Sequence, residues 1–199
     1  MEFRDVVKKR RMVRSFDDRP VDAGVLDRIL DAGRRAPSAG YSQGTEFLVL
    51  NGSDETQRYW ALTLGDEVDD DAWATRIRRA PTLVLVLSNK DAYLERYAEA
   101  DKGAIPPEEQ TWWVPYWDVD AGMAAMLMLL AAVDEGLGAL FFGIDGPWEP
   151  VRDALRIPPA YRCVGLVALG HPSPDDAPSG SSTTRARRPR SEIVHRGSW

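Results

Sequence analysis

The sequence is poor in the residues that build most catalytic centres. Its 199 residues contain one cysteine, Cys163, and two histidines, His171 and His195. A single cysteine excludes an internal disulfide and any zinc site built on cysteines, and Cys163 reads as a small residue buried in a strand. The two histidines lack the H-E-x-x-H spacing that would hold a metal. Also missing are a G-x-x-x-x-G-K-[ST] phosphate loop, a G-x-G-x-x-G turn opening a helix and a G-x-S-x-G nucleophile elbow. Chemistry in such a chain has to come from a bound cofactor. Long apolar runs are absent too. The longest uncharged stretch of the second half, Ala121 to Val133, has 13 residues, short of the about 20 that cross a bilayer. Met1 to Arg14 alternates charged and apolar residues, unlike a signal peptide. The expectation is a cytoplasmic protein with no membrane partner.

What is present is enough apolar residue, 44%, to build the core of one domain spanning 1–199. Positive charge is gathered at the two ends. Residues 1–19 carry a net +3 and residues 181–199 a net +4, which leaves −13 on the rest against a total of −6. A nucleic-acid binder would show a basic domain, whereas this chain has a pI near 5.0, so no nucleic-acid partner is expected. Two basic ends around an acidic middle suit convergence on one small anion; solvated, idle tails are the plainer alternative.

Periodicity predicts helices over 2–10, with Phe3, Val6 and Val7 on one side, and over a second segment with Asp22 as N-cap. Val25, Leu26, Ile29, Leu30 and Gly33 form the second helix's apolar stripe. Pro37 ends it, and a Ser/Gly/Gln loop runs to Gly44. Further helices are predicted over 54–64, 71–79, 91–100, 117–135 and 148–156, the third and second of these separated from their predecessors by a strand and by the acidic stretch Asp66 to Asp71. Strands are predicted at Phe47–Leu50, Leu83–Leu87, Ala139–Ile144 and Cys163–Leu169. Leu83–Leu87 is apolar throughout, as a strand buried on both faces would be. The helix over 117–135 is apolar nearly all round, as a central helix would be, and Gly136 and Gly138 stop it. Strict βα alternation is absent, which favours an α+β fold. From His171 on, the chain reads as an extended arm too long to bury itself.

Five segments carry the functional signal. Arg10, Arg11 and Arg14 form a cationic cluster within Lys9-Arg10-Arg11-Met12-Val13-Arg14-Ser15-Phe16-Asp17, and arginine forks pair bidentately with phosphate. Ala36-Pro37-Ser38-Ala39-Gly40-Tyr41-Ser42-Gln43 is a loop of small residues that a flat ligand can approach. Gly136-Leu137-Gly138-Ala139-Leu140-Phe141-Phe142-Gly143 turns into a strand. Val167-Ala168-Leu169-Gly170-His171-Pro172 leaves one, and Arg185-Ala186-Arg187-Arg188-Pro189 lies near the end. In this order and spacing, over nearly the whole chain, they resemble the FMN-dependent nitroreductase family. That family typically shows an R-R-S-x-R-x-F opening, a P-S-x-x-N-S-Q loop, a G-L-G turn, an A-L-G-x-P strand end and a K-x-R-R-P tail.

The resemblance implies a nitroreductase-like fold: a central, mostly antiparallel sheet flanked by helices, the long helix at a homodimer interface, and residues 172–199 wrapping the partner subunit. It implies that Arg10, Arg11, Met12 and Arg14 hold the FMN phosphate and ribityl chain, joined by Arg185 and Arg187. Pro37, Ser38, Ala39 and Tyr41 would contact FMN bound mainly to the other subunit. The backbone at Phe142 and Gly143 would face the flavin ring, with the Gly143 N–H toward N5. The implied activity is ping-pong hydride transfer from NAD(P)H through flavin N5 to a nitroaromatic, a quinone or a similar small acceptor, with no catalytic side chain and no metal. Met12, Tyr41 and Gly44 stand where the family usually has Ser, Asn and Pro. The Tyr41 change leaves FMN and a deazaflavin both open, and it leaves a second reading: a flavin-binding protein with little turnover. Trp112-Trp113-Val114-Pro115-Tyr116-Trp117 reads either as an aromatic wall of the substrate pocket or as core and interface.

Overall fold

The computed structural model describes residues 1–64, 72–144, 146–178 and 181–199, so the stretch Asp66 to Asp71 lies outside the described residues. Among the described residues the chain forms α1 (Phe3–Lys9), α2 (Ala23–Arg34), β1 (Thr45–Asn51), α3 (Ser53–Leu64), α4 (Ala72–Ile77), β2 (Thr82–Asn89), α5 (Lys90–Tyr97), α6 (Tyr116–Asp134), β3 (Gly138–Phe142), α7 (Trp148–Ala154), β4 (Tyr161–Gly170) and α8 (Ser181–Thr184). The helices and strands expected from periodicity form within three residues of their predicted ends. The short 3-10 turns at Ala39–Tyr41, Ala100–Lys102, Pro107–Glu109 and Arg190–Glu192 were not anticipated, because one turn leaves too little pattern to read.

The four strands pair in the order β1-β2-β4-β3, all antiparallel. In β2 the side chains alternate between two cores. Leu83, Leu85 and Leu87 join Tyr59, Trp60, Ile77 and Val151 on the α3, α4 and α7 side. Val84 and Val86 join Leu26, Ile29, Ala125 and Met128 on the α2 and α6 side. A central strand covered on both faces needs no polar positions, which is why its sequence is apolar throughout. The fold is therefore α+β, with the sheet as the middle of three layers.

Asp22 caps α2, accepting from the Val25 N–H at 3.0 Å, and the helix buries Leu26, Ile29 and Gly33. Helix α6 lies beside α2 and buries Ala121, Ala124, Ala125, Met128, Leu129 and Ala132. By length and composition alone α6 could cross a bilayer; here it packs against α2 and all four strands. Its remaining face leaves Tyr116, Val119, Met123 and Met126 exposed, a stripe at i, i+3, i+7 and i+10. Helix α1 buries only Val6, so Phe3 and Val7, expected on its apolar side, also stand in the open. Gly136 (φ 79°) ends α6 in a Schellman turn: its N–H bonds Val133 O at 3.1 Å and Leu137 N–H bonds Ala132 O at 2.7 Å. Gly138 has a different task from the stop expected of it. A Cβ there would lie 2.8 Å from Val13 and 2.9 Å from Pro172, so its bareness lets two chain segments close over the start of β3.

Those segments shut the β3 edge. Met12 bridges Ala139, Phe16 bridges Pro172, Asp17 N–H bonds His171 O at 3.0 Å and Ser173 N–H bonds Ser15 O at 3.0 Å. In the middle of the sheet, a Cβ on Gly165 would lie 2.5 Å from the Phe141 ring and 2.9 Å from Phe142 O. The backbone oxygen cannot move aside without breaking the pairing of β3 with β4. Gly165→Ala is therefore expected to destabilise the fold by about 1–3 kcal/mol, lowering the melting temperature by roughly 2–12 °C; an unchanged melting curve would show that the sheet yields freely there.

Candidate functional site

The cationic segment leaves α1 at Arg10, whose N–H still bonds Val6 O. Residues 12–16 then run along β3 and the root of the arm. A buried acid from that arm organises the segment. Asp176, whose side chain is 3% exposed, accepts the N–H groups of Arg14 and Ser15, each at 2.9 Å, through one oxygen. Its other oxygen pairs with the Arg11 guanidinium. Ser15 Oγ donates to Asp175 at 3.0 Å, and hydrogen bonds from Ser173 and then Ser15 hold the Asp175 carboxyl below its usual range. Arg11 thus already has a counter-ion. Among the described residues, the Arg14 guanidinium donates only to Met12 O, at 3.2 Å, and the Arg10 guanidinium has no partner. Lys9, Arg11, Val13, Leu137 and Pro172 line a cavity of about 280 Å³ beside this segment.

The Pro37 loop is built differently. Gly40 (φ 62°), Tyr41 (φ 59°) and Gln43 (φ 53°) all have left-handed backbone. Glycine adopts it freely; for the others it costs on the order of 1–3 kcal/mol each. Ser38 Oγ accepts from Gln43 N–H at 3.0 Å and Ser42 Oγ donates to Ala39 O at 2.7 Å. Arg96 Nε on α5 donates to Gly40 O at 2.9 Å. Ala39 N–H donates to Asp120 on α6 at 2.8 Å, and the same carboxylate oxygen accepts from Tyr93 Oη at 2.7 Å. Burial, then the Asp120 hydrogen bond, push the Tyr93 phenol far above its ordinary range. Pro37 and Tyr41 face outward; Tyr41 is 73% exposed.

At the far end of β3, Phe142 stacks on Trp60 with ring centroids 5.8 Å apart. Gly143 is exposed, nothing lies within 4 Å of where its Cβ would be, and its N–H meets no acceptor among the described residues. The Trp112–Trp117 segment packs partly against the interior and partly borders open space. Trp112 and Trp117 pack edge-on against the buried Tyr93, with centroids 6.1 Å away in each case. Trp112, Trp113 and Tyr116, with Tyr97 and Ile105, line an open cavity of about 400 Å³. Trp113 is 93% exposed.

One chain does not bring the expected site residues together. The Pro37 loop is tied to Asp120 near the start of α6. The arginine segment shares its cavity with Val133 and Gly136 at the other end. Val133 lies thirteen positions after Asp120 along the helix, about 20 Å at 1.5 Å per residue. Arg185 and Arg187 lie on the exposed arm, and their side chains have no partner among the described residues. Asp120, Tyr93, Arg96 and Asp176 were not singled out in the sequence. The available signals were weak: an acid just ahead of the apolar run of α6, and an acid pair in an otherwise basic arm.

The nitroreductase family model matches residues 7–171. A protein of Methanothermobacter thermautotrophicus, provisionally named an NADH dehydrogenase/NAD(P)H nitroreductase, is 27% identical over 176 residues, covering 87% of this chain and 78% of that protein. Nitroreductase CinD of Lactococcus lactis, solved with nicotinic acid, superposes with a TM-score of 0.74 at 17% identity, covering 98% of this chain and all of the other. A Bacteroides fragilis nitroreductase solved with bound FMN gives a TM-score of 0.64 at 22% identity, covering 91% and 94%.

Two substitutions check the local reading. Asp176→Ala strips the N–H groups of residues 14 and 15 and the Arg11 guanidinium of their shared acceptor, and should cost about 2–4 kcal/mol by chemical denaturation; a loss below about 0.5 kcal/mol would mean that water replaces it. Tyr41→Asn puts a residue that tolerates left-handed backbone at a strained, exposed position. It should stabilise the chain by about 0.5–1 kcal/mol, and a fall in melting temperature would show that the tyrosine ring supports the loop.

Proposed function

The chain belongs to the nitroreductase family, and on that premise we propose that it is a homodimeric, FMN-dependent NAD(P)H oxidoreductase that reduces a flat organic acceptor such as a nitroaromatic or a quinone. The observation that carries this reading is the separation of about 20 Å along α6 between the Pro37 loop and the arginine segment. Two copies related by a two-fold axis through the α6 face would set the loop of one against the arginines of the other. The exposed stripe Tyr116, Val119, Met123 and Met126, together with Phe3 and Val7 of α1, supplies an apolar surface for that contact. The uncovered arm, with Ile193, Val194 and Trp199 exposed, is long enough to reach across it.

The donor chemistry fits FMN. Arg10, Arg14, Arg185 and Arg187 have guanidinium groups to offer a phosphate, and Arg11, already paired with Asp176, adds charge beside them. The Met12 backbone follows the same segment. Pro37, Ser38, Ala39 and Tyr41 would close the site from the other subunit, and the open Gly143 N–H beside Phe142 would donate to the ring edge. Bound FMN would supply two-electron redox chemistry between a reduced nicotinamide and an acceptor that take turns at one place, which is ping-pong behaviour. Trp112, Trp113, Tyr116 and Tyr97 would give the acceptor an aromatic surface to stack on. The backbone assigned to the ring offers an N–H donor, which would stabilise negative charge there, and no acid; protons would come from water.

The purified protein is expected to be yellow, to release FMN identified by mass, and to sediment at twice the 22.2 kDa of one chain. Arg10→Ala and Arg14→Ala should each weaken FMN binding by about tenfold or more. Steady-state NAD(P)H oxidation with a quinone separates turnover from simple flavin storage. A colourless monomer that cannot be loaded with FMN would overturn the proposal; a deazaflavin mass would keep the site and change the electron donor.

A further inference from the structure

We infer that Asp120 is a positioning residue: its buried carboxylate clamps the Pro37–Gln43 loop in the conformation that presents Tyr41 and the loop backbone to the cofactor. Asp120 is 3% exposed and lies on a helix that otherwise buries alanine, leucine and methionine. Taking a carboxylate out of water costs several kcal/mol unless donors replace the water. Its donors here are Ala39 N–H in the loop, at 2.8 Å, and Tyr93 Oη on α5, at 2.7 Å. Neither belongs to α6, so both hydrogen bonds of the acid run out of its own helix. What it joins is the loop, α5 and α6.

The loop needs such a tie. Three of its residues are left-handed, two of them not glycine, and free of restraint they would relax to extended or right-handed backbone. The clamp acts from one side through Asp120 and from the other through α5. Arg96 holds Gly40 O, and the Tyr97 ring lies so close under Gly40 that a Cβ there would be 2.7 Å from Tyr97 Cε2. Tyr97 is also a wall of the aromatic cavity, and Tyr93 carries Trp112 and Trp117 on its faces and edges. The carboxylate therefore fixes the cofactor loop relative to the surface proposed for the acceptor.

This inference rests on the FMN reading, and the test separates the two. Hydrogen exchange of the Ala39 amide in the full-length wild-type protein needs no cofactor. It should be slowed by about 100-fold or more against the unprotected rate, and exchange at the unprotected rate overturns the clamp even if no variant folds. Asp120→Ala should then lose that protection and raise the FMN dissociation constant by about tenfold or more. Asp120→Asn, which keeps an acceptor oxygen in place, should restore both to within about threefold. Wild-type FMN affinity in Asp120→Ala, or an Asp120→Asn as impaired as the alanine, overturns the clamp alone. A wild type that protects Ala39 yet binds no FMN overturns the cofactor reading and leaves the loop tie as architecture.

Discussion

Helix α6 lays Ala121, Ala125, Met128 and Ala132 onto the sheet face made by Val84, Val86, Val167 and Leu169. The alanines let the helix axis come close to the strands, and the closeness holds along most of a helix of 19 residues. The other elements take their places from this contact. Helix α2 fills the groove beside α6, the N-terminal segment crosses its C-terminal end, and the Pro37 loop docks at its N-terminal end. Because the helix is long, those last two places are far apart in one chain. The same helix that makes the core thus keeps the loop and the arginine segment apart within one chain.

Two buried acids do the detailed work at the two ends. Asp176 gathers three donors of the arginine segment, and Asp120 gathers one from the loop and one from α5. Each joins pieces far apart in sequence. Each replaces lost water with N–H or O–H donors, without which a carboxylate could not stay buried. Beside one of these ties the Arg10 guanidinium has no partner among the described residues, and beside the other Tyr41 stands exposed. The left-handed backbone at Tyr41 and Gln43 costs folding free energy that the hydrogen bonds around the loop have to offset.

Much of the fold was legible in the residues. The two-sided apolar run of β2, the stripe and Asp22 cap of α2, and the Gly136 stop of α6 each follow from local pattern, because strand burial, helix faces and caps are decided within a few residues. The apolar side assigned to α1 was legible but its burial was not. Only Val6 finds the core, and nothing local says how much of a short helix its neighbours will cover. The candidate site residues stood out as a set, through arginines, small-residue loops and glycine turns in the order that marks the family. The partners that hold them were not, since Asp120 sits 81 residues from Ala39 and Asp176 sits 165 from Arg11.

By itself, then, the sequence determined the element types, the α+β class, the basic ends and the dependence on a cofactor for any redox chemistry. These are properties of composition and short-range pattern. Tertiary structure alone decided which charges are already paired, and that the Trp112 segment both packs on the buried Tyr93 and borders a cavity. It also decided that the loop and the arginine segment stand at opposite ends of one helix. Those are matters of distance between residues remote along the chain, and distance is set only when the helices and the sheet have packed.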